Sequence, residues 1–263
     1  MYKYIKLYPK LLAQQLQCMF EYKADFFLML GFSFFTQVSG LLFIYLIFSK
    51  VPHIAGWSLW EILFMYGMIF FTEGVVTFLF EGTWYLGGII NEGKLDRYLL
   101  RPLPVGMQIL CLRVNPDGLG KIIVSLVIIV QSLTKAAVTW TVGKIGMLIL
   151  LMFSASVIRV CLNFSANCIC FWLKSSKTTL AYLIHCFSEF GKYPITIFES
   201  VIQVVLLTVI PYAFISFYPA VYLFEKEKPV WIALYSPVTA LVWIGITALI
   251  LKGGLSVYES SGN

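Results

Sequence analysis

Long runs without any ionisable side chain constrain this chain more than any other feature. Three windows contain no Asp, Glu, Lys or Arg: Phe26 to Ser49, Ser200 to Phe224 and Pro229 to Leu251. Each is long enough for a transmembrane helix, which needs about 20 apolar residues. Only 12% of the 263 residues are charged and 60% are hydrophobic, whereas about 25% of residues are charged in soluble domains. The sequence therefore predicts an integral membrane protein without a sizeable soluble domain.

Three further crossings are predicted if a few charges are tolerated. Glu73 and Arg159 fall inside two of these windows, and Lys121 and Lys135 lie near the ends of the third. Terminal lysines can snorkel to the headgroups, but a charge near the bilayer centre costs roughly 2.5 to 3.5 kcal/mol. The three windows are about Trp57 to Phe80, Leu119 to Trp140 and Ile145 to Leu173.

Residues 174–228 lie between the window that ends at Leu173 and the window that begins at Pro229, and they allow two interpretations. Pro211 and Pro219 interrupt its apolar run, and a proline inside a helix removes a backbone hydrogen bond. One interpretation is a crossing at about 178–200 followed by a re-entrant segment at about 201–224 that is shielded by protein. The other is two full crossings, which would make seven in all and would move the C-terminus to the opposite side.

The N-terminal residues 1–24 show helical amphipathicity rather than a continuous apolar run. Ile5, Tyr8, Leu12, Leu16 and Met19 recur at helical spacing among lysines and glutamines. This pattern predicts an interfacial helix, with a cytosolic helix bound to a partner as the alternative. The predicted fold class is all-α integral membrane, with six transmembrane helices, this interfacial helix and a broken or re-entrant segment before the last helix. Residues 1–263 form one transmembrane domain.

Basic residues predict the orientation. With six crossings and the N-terminus inside, twelve of the 19 Lys and Arg residues fall in cytoplasmic segments and six outside, while Arg159 stays in the membrane. This excess places both termini in the cytoplasm. The basic residues are scattered one or two at a time between apolar runs, a pattern that does not predict nucleic-acid binding. The six outer residues are Lys50, Lys135, Lys144, Lys192, Lys226 and Lys228.

Catalytic and metal-binding patterns are missing from the sequence. His53 and His185 are the two histidines, and no H-E-x-x-H, C-x-x-C or other cluster with metal-ligand spacing occurs. Gly120-Lys121 and Gly143-Lys144 lack the phosphate-binding G-x-x-x-x-G-K-[ST] spacing. We therefore expect a non-catalytic chain that holds no metal and does not hydrolyse ATP by itself.

The longest polar interruption, Glu81 to Pro116, is cytoplasmic in this topology. Charges of both signs surround Leu95, Leu99 and Leu100, and two prolines follow. This pattern favours a short amphipathic helix that docks on a soluble partner, and a merely solvated loop is the alternative.

The stretch from Gly93 to Leu103 resembles the G-x-x-D-x-x-L-x-R-P-L segment of ABC-2-type export permeases, in the subgroup that carries it between the second and third crossings. Each further match is weak alone, but their order along the hydropathy profile is fairly specific. These matches are Glu21-Tyr22-Lys23-Ala24-Asp25, Asp117-Gly118-Leu119-Gly120-Lys121, Phe171-Trp172, Tyr193-Pro194 and the run from Ile210 to Ala220.

The resemblance implies an ABC exporter of the bacterial cell membrane, in which two permeases work with a separate cytoplasmic ATPase dimer. The second permease is either a copy of this chain or an unlike relative. ATP and Mg are then bound by the ATPase, and this chain carries no cofactor. The residues implied to couple the permease to the ATPase are Glu92, Gly93, Lys94, Leu95, Asp96, Arg97, Leu100 and Arg101.

Glu73 and Arg159 are predicted to lie at the same depth. Glu73 lies about 15 residues from the outer end of its predicted helix, and Arg159 lies about 14 residues from the outer end of its own. At 1.5 Å per residue, both are roughly 20 Å below the outer boundary of the membrane. They are expected either to pair within the subunit or to line the translocation path, since an uncompensated charge in lipid is costly.

Three functional classes fit the sequence to different degrees. An ABC permease that exports an amphipathic or hydrophobic compound, such as a drug, a peptide or a lipid-like molecule, agrees with all of the features above. A secondary transporter or channel that works without an ATPase is the alternative, although no internal repeat with paired broken helices is visible. A membrane enzyme comes third because the chain lacks a catalytic constellation.

Overall fold

The computed structural model of this chain describes residues 13, 14, 17, 23–136, 138–173, 179–226 and 231–259. Every regular element in these residues is helical, and Ile54 and Trp57 form an isolated bridge. The prediction of an all-α chain is confirmed, whereas the predicted interfacial helix at 1–24 lies almost entirely outside the described residues. The α-helices are α1 (Lys23–Phe48), α2 (Leu59–Leu79), α3 (Gly82–Asn91), α4 (Asp96–Leu99), α5 (Val105–Leu110), α6 (Asp117–Lys135), α7 (Val142–Cys168), α8 (Thr179–Cys186), α9 (Ser200–Val204), α10 (Phe217–Leu223) and α11 (Trp231–Val257).

Five helices of the described chain, α1, α2, α6, α7 and α11, are long and apolar enough to cross a membrane. They contain 19 to 27 residues, so each is about 28 to 40 Å long and can cover a hydrocarbon core of about 30 Å. Each overlaps a predicted window, and the largest difference is at α11, which ends at Val257 rather than Leu251. The chain is a multi-pass membrane protein.

A bent pair of helical segments supplies the sixth candidate crossing. Ser200–Val209 and Tyr212–Leu223 meet at 74°, and Pro211 lies at the break, where it removes one backbone donor. A π turn at Val205–Val209 precedes the break. Pro219 lies in the first turn of α10, where a proline does not interrupt an intrahelical hydrogen bond. The predicted broken segment before the last helix is therefore present.

The described part of the predicted crossing at 178–200 is not one continuous helix. Within it, α8 has only eight residues, or about 12 Å, and two 3₁₀ turns follow at Phe187–Lys192 and Ile195–Ile197. The polar pair Glu189 and Lys192 lies in the first turn, and Pro194 separates the two. These residues interrupt the apolar run. The bent pair that begins at Ser200 is a candidate for the sixth crossing as a broken span, and a re-entrant segment is the alternative.

Glycines bring α2 and α6 into close contact. A Cβ atom on Gly118 would lie 2.3 Å from the Phe78 backbone nitrogen and 2.6 Å from the Gly74 carbonyl oxygen. A Cβ on Gly74 would in turn lie 2.9 Å from the Gly118 oxygen. Only a residue without a side chain fits at either position, as in other membrane helix pairs with small residues at the crossing. This contact fixes the depth of α6 relative to α2.

The predicted cytoplasmic loop 81–116 contains α3, α4 and α5 rather than irregular chain. Leu86, Ile90, Leu95 and Ile109 from this region are buried together with Phe164 of α7 in a small apolar core. The region is thus a folded extension of α2 that packs on the end of α7 and carries the segment that resembles the coupling motif.

Candidate functional site

Three long helices contribute charged side chains to one cluster. Glu73 of α2 lies between Lys121 of α6 and Arg159 of α7. The Lys121 Nζ atom is 2.8 Å from Glu73 Oε1, and the Arg159 Nη2 atom is 3.4 Å from Glu73 Oε2. One carboxylate therefore bridges two cations on different helices.

The cluster is well shielded from solvent. The Arg159 side chain is only 4% exposed, and those of Glu73 and Lys121 are 17% and 15% exposed. Asp117, one turn before Lys121 on α6, adds a second carboxylate 3.0 Å from the lysine. Two cations thus face two anions, which removes most of the cost of placing these groups between apolar helices.

Arg159 has further partners on the broken part of the chain. Its Nη2 atom lies 3.1 Å from Nδ1 of His185 in α8, and its guanidinium carbon lies 4.9 Å from the centre of the Tyr212 ring. The Tyr212 hydroxyl donates a hydrogen bond to the Ile184 carbonyl oxygen at 3.1 Å. The arginine therefore holds both α8 and the bend at Pro211 against α7.

A polar cavity of about 300 Å³ lies beside this cluster. The Arg159 side chain lines this cavity. Its Nη1 atom has no hydrogen-bond partner among the described residues. The cavity lies at the end of α2 that leads into α3, so it joins the charged cluster to the folded extension. Its lining also includes Glu81, Trp84, Asn115, Asn163 and Tyr182.

Glu81 marks the junction between α2 and α3 at the edge of this cavity. The Asn115 Nδ2 atom donates a hydrogen bond to its Oε1 atom at 3.4 Å. Burial raises the pKa of the Glu81 carboxyl above its ordinary value, although the hydrogen bond from Asn115 and the nearby Lys121 act in the opposite direction. This group is consequently easier to protonate than an exposed glutamate.

The segment Glu92–Arg101 forms a tip on the folded extension. Arg97 and Arg101 are exposed, and the exposed fractions of Leu99 and Leu100 are 46% and 86%. Leu95 is fully buried and anchors the tip from below. The tip therefore presents two apolar and two basic side chains on a fixed support.

The two ends of the tip are held in different ways. Gly93 has a φ of +66°, a left-handed conformation that favours glycine, and it turns the chain between α3 and α4. Gln108 of α5 donates hydrogen bonds of 2.8 Å to the carbonyl oxygens of Tyr98 and Leu103. Glu92 and Lys94 pair at the surface. These contacts, together with the buried Leu95, fix the shape of the segment.

One hydrogen bond joins the extension to the helix that carries Arg159. Asn163, one turn after Arg159 on α7, donates from Nδ2 to the Thr83 hydroxyl of α3 at 2.7 Å. Both side chains are buried or nearly so. The structure thus brings Glu73 and Arg159 together and leaves the tip as a separate feature, with α3 between them.

Sequence reasoning missed Lys121, His185, Tyr212 and Gln108 as members of these sites. The spacing of Asp117 and Lys121, four residues apart in the first turns of a helix, carries the one signal that sequence offers. Among the described residues no group of three or more His, Cys, Asp or Glu side chains is placed to hold a metal ion.

Comparison with known families decides the assignment. The model of a family described as ABC-2 family transporter protein matches residues 34–262. The chain belongs to the ABC-2 transporter family. It is thus an ABC transporter permease, and the match covers all of the long helices except the beginning of α1. No curated protein matches the permease.

Proposed function

We propose that this permease is one of two membrane subunits of an ATP-driven exporter and that a separate cytoplasmic ATPase dimer docks on the segment Glu92–Arg101. ATP and Mg are bound by the ATPase, and the permease performs no covalent chemistry. The membership of the ABC-2 family supports this assignment, and so does the resemblance of Gly93–Leu103 to the subgroup with the G-x-x-D-x-x-L-x-R-P-L segment.

The observation that carries the proposal is the construction of the tip. Leu100 is 86% exposed, and a large aliphatic side chain that projects from a fixed surface segment is suited to insertion into a partner. Arg97 and Arg101 beside it supply positive charge, which favours an acidic docking surface. The buried Leu95 and the hydrogen bonds from Gln108 keep the tip preformed, so little ordering entropy is lost on docking.

Motion of the ATPase would reach the membrane through α3. This helix follows directly on α2 and is hydrogen-bonded to α7 through Thr83 and Asn163. A displacement of the tip therefore changes the relation of α2 to α7, which are the helices joined by Glu73 and Arg159. The charged cluster either fastens these helices or forms a polar part of the path for an amphipathic or hydrophobic substrate.

The proposed orientation follows from the positive-inside rule. The tip, with Lys94, Arg97 and Arg101, faces the cytoplasm, as do both termini. The membrane is the cell membrane, of a bacterium in this proposal. The second permease, a copy of the chain or an unlike relative, completes the path between the two subunits.

Copurification with charge-reversal variants tests the proposal. The permease is expressed with its ATPase, and the amount of ATPase retained in detergent is measured for wild type, Arg97→Glu and Asp96→Lys. We expect Arg97→Glu to reduce retention at least tenfold. Lys50→Glu is the matched control, because Lys50 is exposed and precedes α2 at the end away from α3. Equal retention by all variants would exclude docking on this segment.

An ion-coupled transporter without an ATPase is the second candidate, and the cluster of Glu73, Asp117, Lys121 and Arg159 beside a polar cavity favours it. Transport by the reconstituted permease alone, driven by an ion gradient, would select this candidate. Transport that requires ATP and the second protein would exclude it.

A further inference from the structure

A second cavity lies away from the charged cluster and is almost entirely apolar. It is a groove of about 760 Å³ between α2, α7 and α11, with α5 at one end. Phe71, Val75 and Leu79 form one wall, on a different face of α2 from Glu73. The groove therefore belongs neither to the polar cavity nor to the tip.

The groove follows the axis of α7. Its lining residues on this helix begin at Ile149, end at Phe164 and recur every three or four positions. This stripe is about 22 Å long at 1.5 Å per residue. Cys161 and Phe164 on the floor are buried, whereas Ile149 and Phe153 on the rim are 65% and 68% exposed. The groove is long, narrow and open along its side.

The two hydroxyl groups in the lining already have partners inside the protein. The Ser156 hydroxyl donates to the Met152 carbonyl oxygen at 2.8 Å. The Thr247 Oγ1 atom lies 2.9 Å from the Ser165 hydroxyl and 3.4 Å from the Cys161 carbonyl oxygen. These side chains thus offer an occupant of the groove apolar contact and no free hydroxyl donor.

We propose that this groove holds one acyl chain of a membrane lipid. Apolar cavities exclude water and accept apolar ligands, and all three long walls are candidate membrane spans. One leaflet of the hydrocarbon core is about 15 Å thick, so an acyl chain lying along α7 fits within the length of the groove. The groove opens between the exposed side chains of Ile149 and Phe153, so an acyl chain can enter it sideways from the bilayer.

The proposal goes beyond the proposed function, because lipid binding in the groove requires neither ATPase nor export. The full-length permease is placed in nanodiscs of phosphatidylcholine that contain a trace of phosphatidylcholine with a diazirine in one acyl chain. After irradiation, labelled residues are identified by mass spectrometry, with and without the copurified partner subunits.

We expect labelling at Met152, Val157 and Val160 of the groove to exceed labelling at Val238, which is 57% exposed on α11 and does not line the groove, at least fivefold. Ala248→Trp, which fills the groove from α11, should abolish this excess. Leu249→Trp is the matched control, because Leu249 is the next residue, is 71% exposed and does not line the groove. It should leave the excess unchanged.

Three results would overturn the proposal. The first is equal labelling of the groove residues and Val238, and the second is an excess of groove labelling that survives Ala248→Trp. The third is loss of this excess when the partner subunits are present, which would mean that another protein covers the groove. ATPase retention by the same preparations is measured in parallel. Loss of retention with groove labelling intact would refute the docking proposal and leave this one standing.

Discussion

Lys121 Nζ lies 2.8 Å from one oxygen of Glu73, and Arg159 Nη2 lies 3.4 Å from the other. A single carboxylate thus connects α2 to both α6 and α7. The two cations differ in their other partners, since Lys121 also pairs with Asp117 at 3.0 Å, whereas Arg159 has His185 and the ring of Tyr212. Glu73 is therefore the anion on which the buried arginine depends.

Glu73→Gln is expected to destabilise the permease by about 3 kcal/mol, because it leaves the charge of Arg159 buried without a carboxylate. Arg159→Met in the Glu73→Gln background should recover part of this loss, since it removes the uncompensated charge. Lys121→Met in that background should recover less, because Lys121 keeps Asp117. Unfolding of the variants by titration with SDS in mixed micelles measures these free energies.

This order of rescue distinguishes a buried ion pair from simple packing. If Lys121→Met restored the Glu73→Gln variant better than Arg159→Met did, the assignment of Glu73 to Arg159 would be wrong. If Glu73→Gln and Arg159→Met separately left both assembly and transport unchanged, the cluster would be neither a fastener nor part of a path.

Gly118→Ala is expected to destabilise the permease by about 1 to 3 kcal/mol, because the new methyl group would meet backbone atoms of Phe78 and Gly74. Gly146→Ala is the matched control near the start of α7, where an added Cβ finds no atom within 4 Å. Helix propensity alone predicts that both substitutions stabilise by about 1 kcal/mol. The same titration should therefore give opposite signs, and equal signs would contradict the close crossing of α2 and α6.

The stability of the permease should depend on pH through Glu81. Its folded pKa is raised by burial, so folding favours the protonated form, and the contribution of this group is lost as pH rises through the raised pKa. Glu81→Gln should flatten the decrease in thermal stability that sets in above the pH at which an exposed glutamate ionises, about 4.3. The control Glu92→Gln removes a carboxyl group that is 57% exposed and should leave the profile unchanged. A profile that Glu81→Gln does not alter would contradict the burial of this carboxyl.

The long helices could be predicted from sequence because charge-free windows of about 20 residues have few alternatives. The sequence predicts a crossing at 178–200, because the hydropathy of this stretch does not show that Glu189, Lys192 and Pro194 divide its described part into short turns. The break at Pro211 was predictable because the missing backbone donor acts locally, whatever the rest of the fold.

The charged cluster was only partly predictable. Equal depth brings Glu73 and Arg159 to the same level, but depth alone does not say which faces of α2 and α7 meet. Lys121 was expected to snorkel because it lies near a helix end, and the structure instead turns it toward Glu73. Its position depends on the close crossing at Gly74 and Gly118, a tertiary contact that the spacing of residues does not encode.

Photocrosslinking from the tip tests the central claim most directly. A photoreactive amino acid is placed at Leu100, at the buried Leu95, or at the exposed Val238 of α11, and the permease is irradiated together with its ATPase. The proposed coupling predicts a permease–ATPase product from position 100 and little or none from positions 95 and 238. An ATPase that copurifies but crosslinks no better from position 100 than from position 238 would contradict it.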